Sequence, residues 1–499
     1  MRYVINASAI TVFFLTFILL NSNPAKADSA LEQYFGGSSI YFELSQDEIT
    51  DTDKFEGEAD LRFRSDDLKV FLRASNNMPF PHQTDNFEFQ KRGFEYDINR
   101  DWTVYGGNFS MIVGRGAALH AVEDRGVGWD AQLDGGKFEG EIGFLSLTGF
   151  WGEHKSDNTL YYTTGVNTPE NVRADKLYGG VVGLDFNDVD FRIGLVKTDM
   201  MRNAAQVSVT ITEADVNWKA GDFNIYFEGD WYKTETQGAE EPVEGRAQLA
   251  EINWANPGIS ISGQYIDYEN SLFEYGTHPT LKRTEVDEST ANPVDQEGFR
   301  IDTNITPGSW DGATLRVILV NLKADLTEGA GHRDFFVEYA SSPLQDYSFI
   351  ASVERIGGQL LYYGGVPGNE ENYKLSVDGP FFLGGSFHAQ TRIRQLSNDI
   401  ESDDELELGF DWTVSPEFTI GLFRETSTNP IEPPPPGLFG IPIDSPGQWN
   451  HMFVNYTPDP WSEWNLLIGS RRGGYQCSGG VCANLPPFKG IQLTYSRLL

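Results

Sequence analysis

Side chains able to do covalent chemistry are scattered thinly through this chain of 499 residues. The seven histidines are His82, His120, His154, His278, His332, His388 and His451. None forms the i,i+4 pair of a helical zinc site, and none follows a Cys-x-x-Cys haem attachment. No Gly-x-Ser-x-Gly elbow and no phosphate-cradling glycine loop occurs. An enzyme is therefore not expected, and nothing calls for a metal or a cofactor. What the spacing does offer is electrostatic chemistry, from charges set at alternate positions. Arg62, Arg64, Lys69 and Arg73 come early. Asp130, Glu139, Glu141, Asp190, Glu228, Asp230, Asp334, Glu338, Glu405, Glu407 and Asp411 follow. A basic wall set against an acidic one orders water and sorts ions. The plainer reading is a set of solvated charges on a water-facing surface. Acidic residues dominate, so both readings favour cations.

The elements that carry these charges are alternating strands. Leu68, Val70, Leu72 and Ala74 interleave with Lys69, Phe71 and Arg73. Phe223, Ile225 and Phe227 interleave with Asn224, Tyr226 and Glu228, and Leu406, Leu408 and Phe410 with Glu405, Glu407 and Asp411. Period-two alternation puts one face in an apolar medium and the other in water. The connections then separate a soluble sandwich from a membrane barrel. Short turns such as Ser65-Asp66-Asp67, Asn99-Arg100-Asp101, Asn187-Asp188 and Asn256-Pro257-Gly258 alternate with long loops such as 153–176, 269–296 and 425–447. A meander sorted this way is a transmembrane antiparallel up-and-down β-barrel, with short periplasmic turns and long extracellular loops. The pattern gives about 24 strands, within a range of roughly 20–26, beginning at Ser38–Leu44.

The start of the chain agrees. Met1-Arg2, an apolar run over Ile10–Leu20 and Ala25-Lys26-Ala27 read as a secretory signal peptide over 1–27, leaving 28–499 as the barrel. With 37 basic against 73 acidic residues and a net charge of -36, nucleic acid is not an expected partner. The two cysteines, Cys477 and Cys482, sit in one Gly-rich loop, so a local disulfide is expected outside a reducing compartment.

The clearest unit is Gly106–Gly136, an apolar run, a polar loop and a second alternating run, with Asp134-Gly135-Gly136 expected as the closing turn. Gly107-Asn108-Phe109, Gly114-Arg115-Gly116, Glu123-Asp124-Arg125, Asp130 and Gly135 resemble a block found in a poorly characterised family of large Gram-negative, porin-like outer-membrane β-barrels. The resemblance implies the barrel and its compartment and brings no activity. Arg115 keeps two readings. In the favoured one, Gly114 and Gly116 bend a strand at the rim and Arg115 pairs with Glu123 or Asp124 there, beside Arg125. In the other, the loop folds inward and puts Arg115 and Asp130 at a constriction. Loop 269–296 is a second candidate for folding in, and 425–447, with Pro433 to Pro436, is a candidate lid or, alternatively, a docking point for a partner.

These features point to an outer-membrane, porin-like diffusion channel, water-filled and leaning to cations. Nothing ahead of the first strand is expected to plug it, and a barrel of this size implies a wide lumen. The alternative is a structural sheath holding a partner protein, an electron carrier or an exported chain. Expected partners are outer-membrane lipid around the wall, small solutes or ions within it, and in the alternative a lumen-bound or surface protein.

Overall fold

The computed structural model describes residues 38–498 except 48–51, 77–86, 125–128, 156–173, 203–204, 240, 272–274, 277–280, 282–295, 311, 325–330, 342–345, 360–366, 399–401, 429–446, 472–473, 479–480 and 486–487. The expected signal peptide, Arg125 and the proline run fall outside the described residues.

The wall opens with β1 (Ser39–Asp47), β2 (Thr52–Arg64), β3 (Leu68–Asn76), β4 (Phe87–Asn99) and β5 (Trp102–Phe109). Four short strands then leave it: β6 (Met111–Val113), β7 (Leu119–Ala121), β8 (Glu123–Asp124) and β9 (Trp129–Asp130). It resumes with β10 (Leu133–Ile142), β11 (Leu145–Lys155), β12 (Ala174–Phe186), β13 (Val189–Arg202) and β14 (Ala205–Ala220). Next come β15 (Phe223–Thr236), β16 (Val243–Asn256), β17 (Ile259–Glu269), β18 (Gln296–Ile305), β19 (Thr314–Ala324) and β20 (Gly331–Ala340). Then follow β21 (Ser348–Gln359), β22 (Pro367–Pro380), β23 (Ser386–Asn398), β24 (Ser402–Ser415) and β25 (Phe418–Ser427). The chain ends with β26 (Gln448–Asp459), β27 (Ser462–Arg471), a loop hairpin of β28 (Gly474–Ser478) and β29 (Val481–Leu485), and β30 (Phe488–Leu498).

Twenty-four of these strands form one antiparallel sheet, and the first pairs with the last, with Phe42 opposite Tyr495 and Leu44 opposite Leu493. Closure leaves no edge, so every strand in the wall has a neighbour on both sides, as a bilayer demands. The expected barrel and strand number are what the chain adopts. The first strand runs Ser39–Asp47, slightly later and longer than the alternation suggested.

Alternation sorts the two faces. Phe63, Phe94, Trp151, Ile193, Trp231, Phe299, Phe335 and Ile393 face outward and are exposed. The opposite face is where the structure departs from a plain pipe. Phe150, Leu177, Val196, Ile211, Leu249, Ile266, Ile318 and Phe336 point inward, yet are buried in one continuous cluster. Their cover is the segment between β5 and β10, joined by Tyr275 and Leu281 from the β17–β18 loop. The wall itself is undisturbed by this excursion, because Phe109 and Leu133 are register partners across β5 and β10.

Two expectations are corrected here. Asp134, Gly135 and Gly136 lie inside β10, and the turn falls at Gly143 and Phe144. A Cβ on Gly135 would meet the Trp151 carbonyl oxygen at 2.1 Å, so this glycine serves close strand approach. The lumen is also not a wide empty bore. No plug precedes β1 in the expectation, and the filling comes instead from an internal loop.

Candidate functional site

The site is the inward segment and the two stretches of wall that hold it. Met111–Val113 pairs with Leu119–Ala121, and the reversal between them is made by Gly114 at φ 62° and Gly116 at φ 99°. Both angles belong to the left-handed region that glycine enters without strain. Alternation continues in this small hairpin, with Val113, Leu119 and Ala121 almost wholly buried. Fully burying a leucine-sized side chain contributes roughly 1.5–3 kcal/mol, so the hairpin adheres firmly to the wall.

The tip docks on β15 and β16. The Arg115 main-chain N–H donates to both carboxylate oxygens of Glu228, at 3.1 and 2.9 Å. Glu228 also accepts from the Tyr226 hydroxyl at 2.6 Å. A Cβ on Gly114 would lie 2.0 Å from a Glu228 oxygen, so glycine lets the main chain reach the carboxylate. The Arg115 guanidinium donates to Glu251 at 2.8 Å and lies 4.3 Å from the centre of the Tyr226 ring. The Tyr232 hydroxyl closes the contact by donating to the Ala117 carbonyl oxygen at 3.0 Å.

The returning limb docks on β3 and β4. Glu123 pairs with Arg73 and, at 3.1 Å, with Lys91. Lys91 also meets Asp130 at 2.9 Å and donates to the Gln132 side-chain oxygen at 2.6 Å. Arg73 and Lys91 are nearly buried. Burial alone would raise the Glu123 carboxyl, but Lys91 and Arg73 beside it hold it below the usual carboxylate range. Between the two anchors, the His120 N–H donates to the Tyr275 carbonyl at 2.6 Å, and His154 Nδ1 donates to the Gln132 carbonyl at 3.1 Å. The Tyr275 hydroxyl donates to Asp175 at 2.5 Å.

Of the residues singled out in the sequence, Gly114, Arg115, Gly116 and Glu228 meet at one anchor, and Arg73, Glu123 and Asp130 at the other. Arg115 does not pair with Glu123. The tip meets carboxylates of β15 and β16 instead, and Arg115 and Asp130 sit at separate anchors. Asp124 lies on β8, paired in register with Trp129. The remaining charges stay dispersed on the wall. Arg62 pairs with Asp60 at 3.3 Å, Lys69 with Glu95, and Arg64 sits opposite Lys69 in the register. Asp190 is near a turn, opposite Asn217, and Asp230 is buried opposite Glu213. Glu405 meets Arg394 at 3.3 Å, Glu407 meets Arg392 at 3.7 Å, and Asp411 faces inward on the same strand. Cys477 lies directly opposite Cys482 in the β28–β29 register.

Lys91, Tyr226, Tyr232, Glu251 and Tyr275 were not singled out in the sequence. One signal was available for the docking surface. Val317, Ile318, Leu319 and Val320 are apolar without alternation, as a strand covered on both faces must be.

Neither a family model nor a curated protein sequence matches this chain. Solved structures do match it. The E. coli P pilus tip assembly intermediate PapC-PapD-PapK-PapG is similar over 93% of this chain, at 10% identity and a TM-score of 0.52, and the chain spans 61% of that chain's length. The P pilus usher (PapC) translocation pore aligns over 92% of this chain and 98% of its own, at 8% identity and a TM-score of 0.48. Pseudomonas aeruginosa OccK5 (OpdH) aligns over 79% of this chain and 98% of its own, at 8% identity and a TM-score of 0.40. At such identities the likeness is one of fold, and the fold is that of an outer-membrane β-barrel.

Proposed function

We propose that this chain, delivered by a signal peptide over 1–27, is an outer-membrane diffusion channel for small solutes or ions, narrowed on one side by its own residues 110–124 and 129–132. One observation carries the reading: the segment packs on one side of the wall, while the inner face of β22 to β27 keeps water-accessible polar groups. Lys374, His388, Gln390, Arg392, Asn455 and Asn465 point inward there and none is buried. Acidic residues exceed basic ones, which supports a lean towards cations. That lean rests on fewer carboxylates than the sequence suggested, since Glu228 and Asp230 lie under the hairpin and Glu405 is paired with Arg394.

The sheath reading loses support from the same geometry. A lumen already occupied along β11 to β20 by the chain's own hairpin has less room for a folded partner. The test is conductance of purified protein in a planar bilayer, with the cation preference strongest at low salt. Large, stable steps are expected. A barrel that is silent alone, or that purifies with a stoichiometric second protein in its lumen, overturns the channel in favour of the sheath.

A further inference from the structure

The open side of the lumen carries a like-charge cationic pair of the kind that ordinary strand energetics disfavours. Lys374 on β22 and Arg392 on β23 are direct register partners, both on the inward face. Like charges directly opposite each other across an antiparallel pair repel and destabilise the sheet. Their surroundings compensate only in part. On the far side of Lys374 the register partner is Ser352, and on the far side of Arg392 it is Glu407. Arg392 Nε lies 3.7 Å from Glu407, beyond hydrogen-bonding distance, and Glu407 also accepts from Gln390 at 3.3 Å. Among the described residues no carboxylate lies within 4.0 Å of the Lys374 ammonium.

The contrast with the next inward residue on the same strand is sharp. Arg394 is buried, clasps Glu370 with two hydrogen bonds of 2.8 and 2.9 Å, and reaches Glu405 at 3.3 Å. The fold therefore pairs Arg394 with two carboxylates, while Lys374 is exposed and Arg392 half-exposed. Asn372, the neighbouring inward residue of β22, donates its Nδ2 to Glu354 and Glu370, and its Oδ1 accepts no hydrogen bond from Lys374. Both cations sit in the middle of their strands, so they lie at mid-height in the barrel.

We propose that Lys374 and Arg392 form an anion station in the lumen, which takes the carboxylate group of a small solute. The inference deepens the channel reading and rests on it for its purpose, though the station can be measured without conduction. A carboxylate placed between the two side chains accepts from the ammonium and from the free edge of the guanidinium, and it removes the repulsion between them. Glu407 acts as an internal competitor that keeps occupancy brief, which suits a site that solutes must leave.

The experiment has two readouts on detergent-purified protein. Equilibrium dialysis of labelled succinate measures binding, and a planar bilayer measures block of the ionic current by added succinate. The parent protein is expected to bind succinate and show concentration-dependent block. The pair Lys374→Met and Arg392→Gln should weaken both by about tenfold or more, the size of losing charge-assisted hydrogen bonds. Lys374→Arg should retain both, and Glu407→Gln should tighten binding by freeing Arg392. Heat-modifiable gel migration identifies variants that have kept the barrel. Parent-like binding in the double variant, or no succinate binding by a conducting parent, overturns the station. A parent that binds succinate through these residues but never conducts upholds the station and overturns the channel.

Discussion

The main-chain amide of Arg115 and the carboxylate of Glu228 lie 113 residues apart in sequence and meet in a two-pronged hydrogen bond of 3.1 and 2.9 Å. A backbone donor needs no particular side chain of its own. The specificity of this contact therefore resides in Gly114, which lets the chain come close, and in Glu228, which receives it.

Gly114→Val should release the tip. The substitution combines a left-handed φ of 62° with a Cβ placed 2.0 Å from a Glu228 oxygen. The backbone penalty alone is roughly 1–2 kcal/mol. Larger and noisier single-channel currents are expected, with the heat-modifiable barrel retained. Currents identical to those of the parent would mean that the tip does not limit the aperture.

The returning limb should respond to acid through Glu123. Its carboxyl is held below the ordinary value by Lys91 and Arg73, after burial has pulled the other way. A depressed folded pKa means that the stabilisation is complete above the unfolded carboxyl pKa of about 4.3 and is lost as pH falls through the lower folded value. Amide exchange at Ala131, which donates to the Val122 carbonyl at 2.8 Å, should stay slow from neutral pH down to that range and quicken below it. Glu123→Gln should exchange fast at every pH, with the acid dependence gone.

Truncation should separate the two faces of β19. Ile318 points inward and is fully buried, so Ile318→Ala leaves a cavity under the inward loops and should cost about 2–5 kcal/mol. Leu319 points outward and is exposed on the wall. Leu319→Ala should cost much less, because lipid chains fill the space it vacates. Urea-dependent refolding into bilayers measures both, and equal costs would contradict a buried inner face.

Cys477 and Cys482 should form a disulfide in the mature protein. They are cross-strand partners at the end of a small hairpin, a placement that brings Cα atoms within bridging distance. Thiol reagents applied to intact cells without reductant should fail to label either residue. Replacing both with Ser should change stability little, since the closed loop is short.

The wall was legible because its signal is local. A strand such as β24 reads Glu405, Glu407 and Asp411 inward and Leu406 and Leu408 outward from alternation alone, and the sorting of short turns from long loops fixes the meander. The filling was not legible because its signal is non-local. Gly114 and Gly116 announce an unusual backbone, but nothing near them in sequence names Glu228 or Glu251 as the destination. The same limit misplaced the turn at Gly135 and Gly136, where glycine answers a neighbouring strand. The apolar run over Val317–Val320 was the one local trace of the covered inner face.

That Phe109 and Leu133 stand opposite each other makes the barrel and its contents separable objects. The excursion leaves the ladder and rejoins it at a single rung, so a chain spliced there by a tight turn would retain every hydrogen bond of the staves. Such a shortened chain would keep a wall with a two-toned lining, charged along one arc and oily along the other, where Ile211, Ile266 and Ile318 would lose most of their cover. A lining of that kind would offer an analyte charge on one side and greasiness on the other.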